Sequence, residues 1–256
     1  MDAIDEMTKS YVEHLLEKGE RADKRGMFDY RHIDVKKGVI ETSDGSAWVT
    51  IGETQVLASV KFDVATPFAD RPNEGVLSTT AELLPMSNPR FEPGPPDERA
   101  IELARVVDRA IRSAEIIDLK SMFIEAGKVY AVYIDLYVLD YDGNYMDAAS
   151  LAAMAALRNA IQPSVKDAKL NRAEKGAPLK LSANALEFTF VKVGGHLLLD
   201  PSLDEEHTHD TRVTIGVSDD VVCSIQKTGR GAITRSELEK MIDVSFVKFK
   251  EHEKYL

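Results

Sequence analysis

A chain of 256 residues, 44% hydrophobic and 29% charged, is long enough to bury a sizeable core and has an ordinary globular composition. Its one cysteine, Cys223 in the apolar run VVCSI, excludes an internal disulfide and a cysteine-rich zinc site. The net charge of −11 excludes a broad basic surface, so any contact with a polyanion must come from a local basic face or a partner chain.

Asp2, Asp5 and Glu6 follow Met1 with no basic or apolar leader, and no run approaches about 18 uninterrupted apolar residues. Neither export nor membrane insertion is expected, and a cytoplasmic location follows. Residues 1–18 predict an amphipathic helix with Ile4, Met7, Tyr11, Leu15 and Leu16 near one face and Gly19 as its stop. Strands are predicted near 33–41, 45–52, 54–64 and 76–84, an antiparallel meander by pattern. After the Pro/Gly-rich break NPRFEPGPPDE, a long helix is predicted over about 96–117. Residues 128–142 are apolar on both alternations, which predicts a central strand covered on both faces. An alanine-rich helix is expected over 145–162, stopping at Pro163, then a charged loop at 166–177. The pattern then begins again, with strands near 185–193, 196–200, 211–217 and 220–227. A final helix over 235–252 has Thr234 and Glu237 at the spacing of a capping box.

The predicted class is α/β (α+β). It is one domain over 1–256, with the N-terminal helix, a first half at about 30–165 and a second at about 178–256, each a β-rich unit followed by helix. The tetrapeptide VTIG, at 49–52 and 213–216, agrees weakly with a duplication.

Three stretches could carry chemistry. In ERAIELARVVDRAIRSAEII, Arg105, Arg109 and Arg112 project from one side and Leu103, Val107, Ala110, Ile111 and Ala114 from the other. A row of guanidinium forks suits phosphate oxygens; the alternative is a solvated face paired locally with Glu102, Asp108 and Glu115. The segment DPSLDEEHTHD brings Asp204, His207, His209 and Asp210 close in sequence, suiting either acid–base or metal chemistry or a solvated acidic loop, with His207 and His209 on one side if extended. At VLDYDGNYMDAAS a strand–turn–helix junction offers free N–H groups to an anion, but Asp142 and Asp147 crowd it and no lysine or arginine is expected nearby; Asp147 alternatively only stabilises the first turn of the helix. There is no dinucleotide-binding, Walker-type, GxSxG or HExxH motif.

In order, DGSAWVTIGETQVLASVKFD, FEPGPPDERAIELARVVDRAIR, YVLDYDGNYMDAASLAAMAAL and LLLDPSLDEEHTHDTRVTI resemble the RNase PH family of phosphate-dependent 3′→5′ exoribonucleases, over nearly the whole chain. The likeness is strongest to its non-catalytic ring subunits in the archaeal exosome. The resemblance implies an RNase PH-like fold, a duplicated β-rich/α unit. It also implies that active relatives hold inorganic phosphate with a Gly-Thr-Arg triplet, whose positions here are Asn144, Tyr145 and Met146. The arginine is absent, and Asp147 adds an anion; unit charges about 4 Å apart at an effective dielectric of about 20 interact by about 4 kcal/mol. Asp204 and Asp210 match two active-site aspartates and are read as structural or vestigial, so the chain carries no catalytic residues, metal or cofactor of its own.

The implied partners are a catalytic RNase PH-like subunit, which binds the substrate phosphate and alternates with this one as three heterodimers in a ring, RNA-binding cap subunits, and single-stranded RNA. Arg105, Arg109 and Arg112 would touch the RNA backbone. Two other readings stay open: an autonomous phosphorolytic nuclease using Asp204, and an unrelated two-repeat α/β scaffold.

Overall fold

The computed structural model describes residues 3–174 and 176–256. The first helix, α1 (Ala3–Glu17), ends at Gly19, whose φ of +74° lies in the left-handed region. Met1, Asp2 and the side chain of Ile4 lie outside the described residues, as does Lys175. The expected apolar face is corrected. Met7 and Tyr11 are 75% and 55% exposed, while Val12 and Leu16 are buried against Val191, Val193 and Leu198.

The first sheet contains β1 (Ile33–Lys37), β2 (Gly45–Ile51), β3 (Thr54–Ala65), β4 (Val76–Leu83), β5 (Phe123–Glu125) and β6 (Lys128–Asp140). Its order is β1-β2-β3-β6-β4, with β5 on β6. Only the first three strands form the expected meander. β4 pairs with β6 in parallel and leaves β3 free to pair with β6, so the fourth strand lies on the far edge. Parallel neighbours need a long crossover, and α2 (Glu98–Ser113) lies within it, packed against β4. Asp97 caps α2 by accepting from Ala100 N at 2.9 Å. On β6, Val132, Ile134, Leu136 and Val138 are buried, but Tyr133, Asp135 and Tyr137 are half-buried, so one face rather than both is fully covered.

The alanine-rich helix is α3 (Tyr145–Arg158), which ends earlier than predicted. Ile161 and Gln162 instead form β7 (Ile161–Gln162), paired with β10 (Ala177–Pro178). Within the expected charged loop lies a small hairpin, β8 (Ser164–Lys166) and β9 (Lys169–Asn171). Residues Tyr145 to Leu157 are all buried, because α3 packs on β2 and β3 on one side and on the second sheet on the other. Alanine at positions 148, 149, 152, 153, 155 and 156 lets both layers approach.

The second sheet runs β12-β11-β13-β14, from β11 (Leu186–Val193), β12 (His196–Leu199), β13 (Thr211–Ser218) and β14 (Val221–Gly229). Between β12 and β13 lies α4 (Leu203–Thr208), where no helix was predicted. The last helix, α5 (Arg235–His252), has the predicted capping box and packs on β13 and β11. One continuous apolar cluster joins both sheets through α2 and α3, and the halves differ in size. The repeated VTIG is not a repeated position: Gly52 turns β2 into β3 with φ +59°, whereas Gly216 lies within β13 beside a register shift.

Candidate functional site: a self-occupied helix terminus and a basic groove

The β6–α3 junction is closed by the chain itself. Gly143 has φ +90°, and a Cβ there would stand 2.5 Å from Pro201 O, so the segment before α4 lies directly on the turn. Asn144, left-handed and fully buried, caps α3. Its backbone N–H donates to Glu206 Oε2 at 2.6 Å, and its Nδ2 donates to Asp147 Oδ2 and Asp200 Oδ1 at 2.9 and 2.8 Å. A helix N-terminus attracts anions, and here a carboxylate from α4 accepts that first N–H. Glu206 Oε1 in turn receives Arg212 Nη1 at 3.0 Å, while Arg212 Nη2 donates to Glu102 Oε2 on α2 at 2.6 Å. Burial opposes the charge on Arg212, but Glu206, Tyr145 and Glu102 raise its pKa and keep it cationic.

Two expectations about this junction are corrected. Arginines do gather around it: Arg31 donates to Gly143 O at 3.0 Å and to Asp142 O at 2.5 Å, and both Arg31 and Arg25 reach Asp200 at 2.7 Å. They are remote in sequence, and Asp200 neutralises them. Asp147, moreover, does not point at a ligand position. It is buried, accepting from Tyr30 Oη at 2.5 Å, Asn144 Nδ2, and Thr189 N at 3.0 Å, with its other oxygen unpartnered. Burial pushes its carboxyl up to about 6 against the pull of those hydrogen bonds. The anion facing the α3 N-terminus is therefore Glu206, with the same sign of effect as expected of Asp147. Tyr145 and Met146 are buried wall residues, and burial followed by the charge of Glu206 pushes the Tyr145 hydroxyl up to about 12.

The acidic segment is not a solvated loop. Asp200 is buried on its two arginines, and Glu205 forms a buried pair with Arg21 at 2.6 Å. His207 lies on α4 and His209 caps its end, so neither occupies an extended strand. Asp204 is exposed on α4, whereas Asp210 accepts from Lys9 of α1 at 2.8 Å and from Gly194 N at 3.1 Å. Asp204 is thus solvent-exposed, while Asp210 is tied to α1 and to the turn between β11 and β12. Among the described residues no group of three or more His, Cys, Asp or Glu side chains is placed to hold a metal ion.

The arginine face of α2 is arranged as its periodicity predicts. Arg105, Arg109 and Arg112 are exposed, and Leu103, Val107, Ala110 and Ile111 are buried. They do not share one cavity, however. Arg105 and Arg109 line a groove of about 770 Å³ between α2 and β14, together with Lys227, whereas Arg112 lines a separate depression beside Glu115 and Lys120. Arg112 is tied to Asp108 at 3.0 Å and to Leu77 O at 3.1 Å. The residues that reading the sequence did not single out are Glu206, Arg212, Arg31, Gln226 and Lys227. For Arg212, a charged residue inside the apolar strand TRVTIGV was the available signal.

The 3′ exoribonuclease family matches in two pieces, its domain 1 over residues 29–163 and its domain 2 over 186–248. The exosome complex component Rrp42 of Methanothermobacter thermautotrophicus is 43% identical, over 100% of this chain and 96% of that protein. Its namesake in Thermococcus onnurineus is also 43% identical, over 98% and 94%. A chain in the Archaeoglobus fulgidus exosome with RNA bound to the active site superposes with a TM-score of 0.93 at 40% identity, covering all of both chains. One in an archaeal exosome core gives 0.88 at 37%, covering 98% and 97%. Rice Rrp46, 17% identical with a TM-score of 0.70, shares the fold. These matches leave no room for an unrelated two-repeat scaffold: the chain belongs to the 3′ exoribonuclease, or RNase PH, family.

Proposed function

We propose that this chain is the non-catalytic RNase PH-type ring subunit of an archaeal exosome. It alternates with a catalytic RNase PH-like partner as three heterodimers, offers RNA-binding cap subunits a platform, and positions single-stranded RNA for 3′→5′ phosphorolysis. Inorganic phosphate is bound by the partner, and this chain needs no cofactor. It works in the cytoplasm; no described helix is long and apolar enough to cross a membrane.

The observation that supports this most is Glu206 at the α3 N-terminus. There the resemblance places the phosphate of active relatives, and here Asn144 N–H is already bound to a carboxylate. A phosphate at that point would have to displace a carboxylate that is itself bound to Arg212. Without a bound nucleophile, Asp204 and Asp210 cannot carry phosphorolysis, and Asn144, Tyr145 and Met146 serve as interior wall and cap. RNA contacts fall to the exposed arginines of α2, which give affinity without base specificity.

The test is to incubate the purified chain with single-stranded RNA and inorganic phosphate, alone and after mixing with the catalytic partner. Nucleoside diphosphates are expected from the mixture only, together with a mass matching three heterodimers. Product from the isolated chain would establish the autonomous nuclease instead.

A further inference from the structure

The three exposed arginines of α2 differ in what holds them. Arg112 is tied to a carboxylate, Asp108, by two hydrogen bonds of 3.0 Å, so much of its charge is cancelled on the spot. Arg105 makes no side-chain hydrogen bond or ion pair among the described residues. Arg109 is held by a neutral group: its Nη1 donates at 3.3 Å to Gln226 Oε1, which reaches across from β14. Arg105, Arg109 and Gln226 line the same α2–β14 groove.

Gln226 is itself anchored. Gln226 and Thr228, two apart on β14, both bond Glu102 on the groove floor, from Nε2 at 3.5 Å and from Oγ1 at 2.6 Å. Strand alternation turns the side chain of Lys227, between them, to the opposite face, so its charge is not aimed into the groove. Glu102 is fixed in turn by the buried Arg212 at 2.6 Å, which matches its charge. The amide has one orientation that suits both neighbours: reversed, its NH₂ would face a guanidinium and its carbonyl a carboxylate. A chain of contacts therefore runs from Arg212 through Glu102 and Gln226 to the exposed guanidinium of Arg109. Its last link is neutral. A carboxylate at position 226 would hold Arg109 and cancel its charge, as Asp108 does for Arg112, whereas an amide leaves that charge and the other N–H donors to an incoming phosphate. From inside the fold Glu187 acts on Arg109, but burial, then Asp147, pushes the Glu187 carboxyl well up and favours its neutral form. Glu98, also lining the groove, makes no ion pair among the described residues.

We propose that Gln226 is a positioning residue for RNA: it orients the Arg109 guanidinium for a backbone phosphate before RNA arrives, without neutralising it. This rests on the RNA-positioning role above and adds the residue that sets one of its contacts. Ordering a free, long side chain on binding weakens affinity by about two- to tenfold, and Gln226 does part of that ordering in advance for Arg109, though not for Arg105.

The experiment uses the reconstituted ring with the catalytic partner and a 5′-fluorescein-labelled oligoadenylate, without phosphate so that no decay occurs. Affinity is read by anisotropy across potassium chloride concentrations, with ring mass checked for every variant. Each lost phosphate contact on a single strand lowers the slope of log K against log salt by about 0.7, as expected of Arg109→Ala. Gln226→Ala keeps the contact but not its preparation, so affinity should fall about two- to tenfold with the slope unchanged. Gln226→Glu should neutralise Arg109 and lower the slope as Arg109→Ala does. Adding Gln226→Ala to Arg109→Ala should cost nothing more, which a general effect on the fold would not reproduce. If Arg109→Ala lowers the slope while Gln226→Ala leaves affinity unchanged, or costs as much without Arg109 as with it, the positioning role is wrong and the RNA role stands. Wild-type binding by Gln226→Glu also overturns the positioning role. If neither Arg105→Ala nor Arg109→Ala moves the slope, the RNA role of this face falls, and the role of Gln226 with it.

Discussion

Replacing Arg212 with methionine removes the cation from between two carboxylates while keeping most of the side-chain bulk. Glu206 is 6% exposed and Glu102 21%, and their distances to the guanidinium are 3.0 and 2.6 Å. Removing one partner of a buried pair typically costs about 3–5 kcal/mol, because the charge left behind has neither water nor counter-ion. Glu102 is partly solvated and keeps Thr228, which places the expected loss near the lower end, about 3 kcal/mol at pH 7. The sign of the pH dependence follows from Glu102. In the wild type its pKa is depressed, so its contribution is present above the usual value of 4.5 and is lost only as pH falls through the depressed one. In the variant burial is opposed by the Thr228 and Gln226 hydrogen bonds without Arg212, so that pKa rises from its depressed position. The penalty is therefore largest at neutral pH and shrinks on acidification by up to about 1.4 kcal/mol per pH unit while Glu102 protonates. Urea denaturation followed by the single tryptophan, Trp48 on β2, measures this at pH 7, 6 and 5. Adding Glu102→Gln should recover part of the loss. A loss under about 1 kcal/mol at pH 7, or one constant across pH, would refute the account of Arg212 as the counter-ion of both carboxylates.

Three further outcomes are expected. Glu187 is 2% exposed with both oxygens unpartnered, and burial, then Asp147, pushes its carboxyl well up against Arg109. Glu187→Leu should stabilise by about 1–3 kcal/mol in urea denaturation. Because the folded pKa is raised above 4.5, wild-type stability should fall with rising pH above that value relative to the variant; a destabilised variant would contradict this. Gly143→Ala, forced into φ +90° against Pro201 O, should cost at least about 2 kcal/mol, and a change within about 0.5 kcal/mol would mean that the α4 segment does not press on the turn. In the reconstituted ring Asp204→Ala should leave the phosphorolysis rate unaltered, and a tenfold drop would restore that carboxylate to the chemistry.

Local signals and pairings differed in how far the sequence revealed them. The Thr234/Glu237 capping box and the 3.6-residue rhythm of α2 are short-range, decided within a turn or two of helix, and both are present as expected. The insertion of β6 between β3 and β4 is not short-range: nothing in residues 76–83 tells a strand which edge it will join. α1 misled because its apolar positions fall on two stripes, and the sheet chose Val12 and Leu16 over Met7 and Tyr11. The acidic run at 200–210 looked solvated because its counter-ions, Arg21, Arg25 and Arg31, lie about 170 to 180 positions earlier and meet it only in the folded chain. That Asn144, Tyr145 and Met146 stand where the resemblance implies a phosphate-binding triplet could be read from the sequence, but the carboxylate at the helix terminus could not. Asp147 is adjacent in sequence and faces inward, while Glu206 is 62 positions away and faces the helix terminus.

That difference bears on how a chain of net charge −11 would hold RNA in the proposed role. Carboxylates at 102, 147, 200, 205 and 206 are matched by arginines or hydrogen-bond donors inside the fold, so their fields are largely cancelled close by. Exposed charges elsewhere are screened over a Debye length of about 8 Å at physiological salt. Under the proposed role, a phosphate on the exposed face of α2 would therefore respond mainly to Arg105 and Arg109, with Glu98 against them, and not to the total. The network that fills the α3 terminus with Glu206 also sets the groove, since Arg212 binds Glu206 with one arm and neutralises the groove floor at Glu102 with the other. The carboxylate at the α3 terminus and the carboxylate on the groove floor are, in this fold, held by the two arms of one guanidinium.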